Sequence, residues 1–232
     1  MTRAVARFWV QKNYADLCIF LTILDHRLLI FNVGKSENMN YTDKECQEFV
    51  KKANPLSWLI NASYLHSQVV ILKRERDKAI IFFKKDGESK YESFREADKA
   101  IFLLCSFVIE NLLKSFLIYE NPDLIKNGKL DKKIKTHSLT LLCNKSNLVP
   151  YKNKYKGVIK EFEEGNMGWM RYPCGKDIKE NVFNKKLSSR LWKGYINMIN
   201  FYEGSLIKLM RKGWKNPCDG SIFYGNFEGE FF

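Results

Sequence analysis

Several things that would direct a reading of this chain toward a familiar chemistry are missing from it. The six cysteines, at positions 18, 46, 105, 143, 174 and 218, form no C-x-x-C pair and have no nearby pair of histidines. Neither a zinc site nor a dithiol redox motif is indicated, and the cysteines read as reduced thiols. No glycine-rich phosphate loop, paired catalytic carboxylates, Ser-His-Asp order or metal-ligand cluster occurs, so those enzyme classes have little support and no cofactor is expected. The longest apolar stretch, Leu17 to Val33, is cut by Asp25, His26 and Arg27. Neither half approaches the roughly 20 residues that span a bilayer, and no small-residue cleavage site follows. The expectation is a cytoplasmic protein without a membrane partner. Proline and glycine are also sparse, at 5 and 13 residues, while aromatics reach 14%. That balance argues against low-complexity disorder, and 232 residues suit one domain with additions better than two full domains.

Acidic residues are short too, and unevenly so. Lys and Arg total 39 against 26 acids, a formal charge of +13. This excess favours a polyanionic partner, although excess lysine also serves plain solubility. Its distribution is more informative than its sum. Between Lys126 and Lys160 lie ten lysines, among them Lys132, Lys133 and Lys135, against a single acid, Asp131. From Lys176 to Lys215 ten basic residues face Asp177, Glu180 and Glu203, whereas the first fifty residues balance at six of each sign.

The pattern along the chain is mainly helical. Residues 17–24 and 28–33 suit either a short β-hairpin or a broken extra helix at the N-terminus. Thr42 with Glu45 is a capping box that starts a short helix to about Lys52, and Asn54-Pro55 ends it. Leu59, Ala62, Leu65, Val69 and Leu72 predict a long amphipathic helix from Leu56 to Phe83. A loop over Lys85-Asp86-Gly87-Glu88-Ser89 leads to a second, most apolar helix from Phe94 to about Tyr119. Residues 123–136, with Asn127-Gly128, read as an exposed loop. Short helices then follow from Ser138 to Lys145 and from Tyr151 to Glu164, the latter ended by Gly165-Asn166-Met167-Gly168. A last long helix fits Leu187 to Arg211, with Leu191, Tyr195, Met198, Tyr202, Leu206 and Leu209 on one face. The tail shows no usable periodicity. The implied divisions are an extension over 1–54, a helical unit over 55–213 and a tail over 214–232.

Three features stand out chemically. Glu110 and Lys114, with Asn111 beside them, interrupt the most apolar helix; their four-residue spacing in the Glu-to-Lys sense suits an ion pair, on an ordinary surface or in a polar patch at a helix interface. His137 follows the basic loop and heads an apolar helix, in the place of either a helix-start residue or a proton carrier. Gly168-Trp169-Met170-Arg171-Tyr172-Pro173 combines a guanidinium with rings, suited to a phosphate and a stacked base or to cation-π packing of a junction.

In this order, Ile109-Glu110-Asn111-Leu112-Leu113-Lys114-Ser115, then Thr136-His137-Ser138-Leu139, then Arg171-Tyr172-Pro173, the chain resembles the HEPN domain family. The resemblance covers about a third of the chain directly and, with the flanking helices, about two thirds. It implies an up-and-down helical bundle, often a homodimer, with a site on the polar face of the second helix near Arg171. Many HEPN proteins are metal-independent endoribonucleases of toxin, CRISPR or phage-defence systems; others bind nucleic acid or nucleotides without cleaving, often paired with a nucleotidyltransferase. The catalytic members carry Arg followed by four to six residues and His. Here those positions after Arg171 are Lys176, Asp177 and Ile178, and the three histidines, 26, 66 and 137, all precede it. The expectation is therefore a nucleic-acid- or nucleotide-binding protein, with RNA or a nucleotide as partner, of a bacterial defence or toxin-antitoxin system. Asn111, Lys114, Tyr172, Lys132, Lys133 and Lys135 would contact the ligand. Two alternatives stand beside it: an endoribonuclease using Arg171 with His137 or Glu110, and a noncatalytic dimerisation module that meets a partner or serves as an antitoxin.

Overall fold

Two polar residues set the first helices. Thr42 accepts from the Glu45 amide at 3.3 Å while the Glu45 carboxylate accepts from the Thr42 amide at 2.8 Å, the expected capping box, and α1 runs over Asp43–Ala53. Asn54 ends that helix and its side chain accepts from the Ser57 amide at 3.0 Å, capping α2, Pro55–Glu75. Pro55 occupies the first helical position, where a missing N–H leaves nothing unsatisfied. One helix thus passes into the next without a loop. The computed structural model describes residues 41–78, 80–83, 92–95, 97–167 and 187–225. The expected hairpin or helix over 17–33 lies outside them, as do Arg171 and Tyr172.

Helix α2 stops well short of Phe83. A 3₁₀ turn, Arg76–Lys78, follows it, and Ile80–Phe83 (β1) pairs antiparallel with Glu92–Arg95 (β2), Ile80 opposite Arg95. This corrects the expected helix to Phe83 and the expected start of the next at Phe94. Ile80-Ile81-Phe82-Phe83 is β-branched and aromatic, and the Asp86-Gly87 that follows it is a hairpin signal. The side chain of Arg76 is 9% exposed and that of Asp98 10%; the guanidinium forks onto the carboxylate, with Nη2 donating to Oδ2 at 2.8 Å and Nε to Oδ1. That pair ties the end of α2 to the start of α3, Ala97–Glu120.

The remaining helices among the described residues are α4, Leu139–Lys145, α5, Lys152–Met167, and α6, Ser189–Arg211. The four long ones run alternately up and down. Ser115 of α3 donates to the Pro55 carbonyl at the start of α2 at 2.8 Å, Phe162 of α5 packs on Phe102 of α3, and Phe116 of α3 meets Tyr202 of α6 edge-on. The described residues therefore form a mainly α, bundle-like fold with α3 at its centre. Seventeen of the 24 residues of α3 are buried, from Asp98 to Ile118, as expected of a helix apolar on all sides. Its length and hydropathy would suffice for a membrane span, but 89% of its most apolar window is buried inside the fold.

Three further departures have physical reasons. Helix α5 runs through Gly165 to Met167 rather than ending at Glu164, because Gly removes only about 1 kcal/mol of helix preference and Phe162, packed on both Phe102 and Tyr195, holds this end in the core. The segment after α3 is not a simple exposed loop: Leu124, Ile125 and Ile134 are buried while Lys132, Lys133 and Lys135 are exposed. The tail has regular structure. Gly213, at φ +91°, donates to the Met210 carbonyl at 3.1 Å and turns the chain out of α6. Trp214 is buried with Nε1 donating to the Ile118 carbonyl at 3.1 Å, and Trp214–Lys215 (β3) pairs with Ile222–Phe223 (β4). Replacing Trp214 with Ala is expected to destabilise the fold by about 3–5 kcal/mol in urea unfolding, because it empties a core site and orphans a carbonyl.

Glu203 on α6 is 7% exposed and has no hydrogen-bond or ion-pair partner among the described residues. Burial pushes its carboxyl from 4.5 up to about 7. An acid raised in the folded state stabilises fully below its unfolded value and loses that contribution as pH rises through the folded one. Glu203→Gln should therefore match wild type in melting temperature near pH 4, gain on it between about pH 4.5 and 7, and hold an advantage of about 1–3 kcal/mol above that.

Candidate functional site

Helix α3 carries Glu110 and Lys114 one turn apart with Asn111 next to Glu110, and Asn111 and Lys114 meet side chains of α2. The Lys114 ammonium donates to Glu110 Oε1 at 2.7 Å with side-chain exposures of 7% and 8%, so the pair is interior and not a solvated surface pair. Trp58 of α2 covers it: the Lys114 Nζ lies 5.2 Å from the indole centroid, and the indole N–H donates to the Ala53 carbonyl at 3.0 Å. Asn61, one turn further along α2, donates through Nδ2 to Asn111 Oδ1 at 2.9 Å, and Asn111 Nδ2 donates to the Phe107 carbonyl at 2.6 Å. Both ends of the Asn111 amide are thereby fixed.

The second carboxylate oxygen of Glu110 turns the other way. Its Oε2 lies 3.0 Å from His137 Nδ1, at the end of the segment following α3, and the His137 side chain is 47% exposed. Burial pushes the Glu110 carboxyl up, but the His137 hydrogen bond and the Lys114 charge outweigh it and hold the group below its ordinary value. An ionised carboxylate only accepts, so Nδ1 carries the proton and Nε2 of a neutral His137 is the acceptor nitrogen.

The position of His137 is secured from the far side. Ser138 caps α4 by accepting from the Leu141 amide at 3.2 Å, and its hydroxyl donates to Glu163 of α5 at 2.5 Å. The amide of Thr140 donates to the other Glu163 oxygen at 3.3 Å, and the Thr140 hydroxyl does so as well. Lys145 donates to the Lys133 carbonyl at 2.7 Å, holding the preceding segment against α4. His137 is thus clamped between an anchored helix start and a buried carboxylate.

The arrangement can move a proton. A half-exposed imidazole oriented by a carboxylate accepts at Nε2, and the carboxylate stabilises the imidazolium that results. It can also present cations, since Lys132, Lys133 and Lys135 are exposed two to five residues before the imidazole. Of the residues singled out in the sequence, Glu110, Lys114 and His137 lie in one hydrogen-bonded and charged cluster, and Asn111, next to Glu110 in sequence, is bonded instead to Asn61 and the Phe107 carbonyl. Arg171 and Tyr172 lie outside the described residues. Trp58, Asn61, Ser138, Thr140 and Glu163 were not singled out. Trp58 and Asn61 stand three apart on α2, a spacing that marks one helix face but names no partner across it. Among the described residues there is no group of three or more His, Cys, Asp or Glu placed to hold a metal ion.

Removing one member of a buried ion pair leaves the other uncompensated. Glu110→Ala is expected to lower unfolding free energy by about 3–5 kcal/mol in urea titration, and Glu110→Ala with Lys114→Met to recover most of the loss. An additive double variant would contradict the pairing. No protein-family model matches this chain, and neither a curated protein nor a solved structure matches it.

Proposed function

We propose that this chain is a HEPN-like RNA-binding protein that receives the sugar-phosphate backbone at His137 and the lysines before it. The observation that carries this reading is the His137 imidazole, half-exposed and hydrogen-bonded to a buried Glu110, at the end of a segment where Lys132, Lys133 and Lys135 are exposed. Ten lysines against one acid over 126–160 supply the field that would draw a polyanion there. The Glu-Asn-x-x-Lys, His and Arg-Tyr-Pro order is the basis for the family likeness, and the missing His after Arg171 favours binding over cleavage.

The carboxylate-imidazole pair favours a second reading, metal-independent endoribonucleolysis. His137 Nε2 would take the proton of a 2′-hydroxyl as its oxygen attacks the adjacent phosphate; the bond from phosphorus to the 5′-oxygen breaks, that oxygen leaves with a proton from water, a 2′,3′-cyclic phosphate results, and Glu110 stabilises the imidazolium.

Filter binding of single-stranded RNA, single-stranded DNA and ATP at low salt separates the ligands. RNA affinity is expected to fall steeply with added salt. The triple variant Lys132→Gln, Lys133→Gln, Lys135→Gln should flatten the logarithmic salt slope by about 2, since each phosphate neutralised on a single strand contributes about 0.7. No association with any of the three at low salt would end the binding reading. For cleavage, labelled RNA incubated with chelator should be cut by wild type and at least about 100-fold more slowly by His137→Ala. RNA left intact by both proteins would remove the second reading and leave the first.

A further inference from the structure

A second surface, away from the Glu110 cluster in sequence and built on different helices, carries three rings and a cation. Tyr151 immediately precedes α5 and is 58% exposed; Phe201, midway along α6, is 45% exposed. Their rings meet edge-on, with centroids 5.2 Å apart. Lys154, itself exposed, brings its ammonium to 5.5 Å from the Tyr151 centroid, 5.2 Å from Tyr155 and 5.2 Å from Phe201. Tyr155 is the root of the group. It is 3% exposed, packs edge-on against Tyr202 in the core, and its hydroxyl donates to the Asn197 carbonyl at 3.4 Å.

The backbone adds an independent observation. Tyr151 has φ +52°, and it is the one residue other than glycine with a positive φ among the described residues. Left-handed backbone disfavours a tyrosine by about 1–2 kcal/mol, and such strain persists where something else holds it. Here the Tyr151 carbonyl accepts the first bond of α5, from the Tyr155 amide at 3.2 Å, while the ring lies against Phe201 and under Lys154. The strained conformation keeps a large ring at the surface, where burial does not reward it.

The surroundings decide what such rings would receive. Lys152, Lys154, Lys156 and Lys160 follow within about two and a half turns, and no acid occurs between Asp131 and Glu161. Exposed rings interleaved with lysines meet both parts of a single-stranded nucleic acid, its base faces and its phosphates. An apolar peptide would offer the Lys154 ammonium no counter-charge.

We propose that Tyr151 and Phe201 form a stacking platform for an unpaired base of single-stranded RNA, with Lys154 beside them on the flanking phosphate. This rests on the RNA-binding reading and adds a second, base-dependent contact to it. Glu163, which anchors the segment bearing His137, lies on the same helix roughly 18 Å along the axis from Tyr151. One strand of several nucleotides would therefore be in reach of both.

The test uses the full chain with three labelled probes: a uridine dodecamer, the same ribose-phosphate dodecamer without bases, and an RNA duplex of equal length. Tyr151→Ala and Phe201→Ala are each expected to weaken uridine-dodecamer binding by about 5- to 100-fold, the worth of one stacked base, and to change abasic binding less than about twofold. Tyr151→Trp should restore affinity and show indole fluorescence quenched on addition of the uridine dodecamer, whereas Tyr151→Leu, apolar but without a π face, should not restore it. Circular dichroism melts confirm that each variant is folded. If wild type binds RNA and all four variants bind the uridine dodecamer equally well, the platform is overturned while the RNA-binding reading stands. If wild type binds none of the probes, both fall. If RNA affinity is unchanged and Tyr151→Ala instead abolishes self-association in sedimentation, the patch is a contact between protein copies and the proposal is wrong.

Discussion

A carboxylate can sit in the most apolar helix of a bundle only when its charge is answered on every side. Glu110 meets this condition with one oxygen on the Lys114 ammonium and the other on His137 Nδ1. Much of the local architecture follows from that requirement. Trp58 has to roof the lysine, which fixes the approach of α2 to α3. His137 has to arrive from the segment after α3, which needs α4 capped by Ser138 and anchored by Glu163. Buried ion pairs are weak contributors to stability compared with the apolar residues that could replace them. Retaining one here, with an imidazole at its open edge, gives the core a polar outlet to the surface.

How much of this can be read in the sequence depends on whether the signal is local. The capping box at Thr42, the cap at Ser138 and the long periodic stripes of α2 and α6 are set within a few residues, and their helices are legible. The mainly helical fold is legible for the same reason. The hairpin of Ile80–Phe83 with Glu92–Arg95 is marked only by Asp86-Gly87, because a short apolar run following a helix has no period of its own long enough to be separated from it. Gly165 reads as a stop because local preference ignores Phe162, whose contacts with α3 and α6 outweigh it. Trp214 likewise gains its place from Ile118, 96 residues away.

The candidate site divides along the same line. Glu110 and Lys114 share a helix, so their pairing is readable from spacing; their burial is not, since it depends on Trp58 across an interhelical contact. Asn61 and Glu163 carry no signal that names a partner. Their roles exist only as partners of Asn111, 50 residues away, and of Ser138, 25 residues away. The aromatic group of Tyr151, Tyr155 and Phe201 shows this again, since two of its rings come from the start of α5 and the third from the middle of α6.

The basic charge joins these parts into one account. The exposed lysines before His137 and those at the start of α5 belong to the same acid-poor stretch, so a nucleic-acid strand attracted by the field would find an imidazole at one end and rings at the other. Ultraviolet crosslinking of the full chain to single-stranded RNA, followed by mass spectrometry of the nucleotide-bearing peptides, tests this most directly. Adducts concentrated on the peptides holding Lys132 to His137 and Tyr151 to Lys154 are the result the account predicts. Adducts confined to other parts of the chain, or none at all, would contradict it.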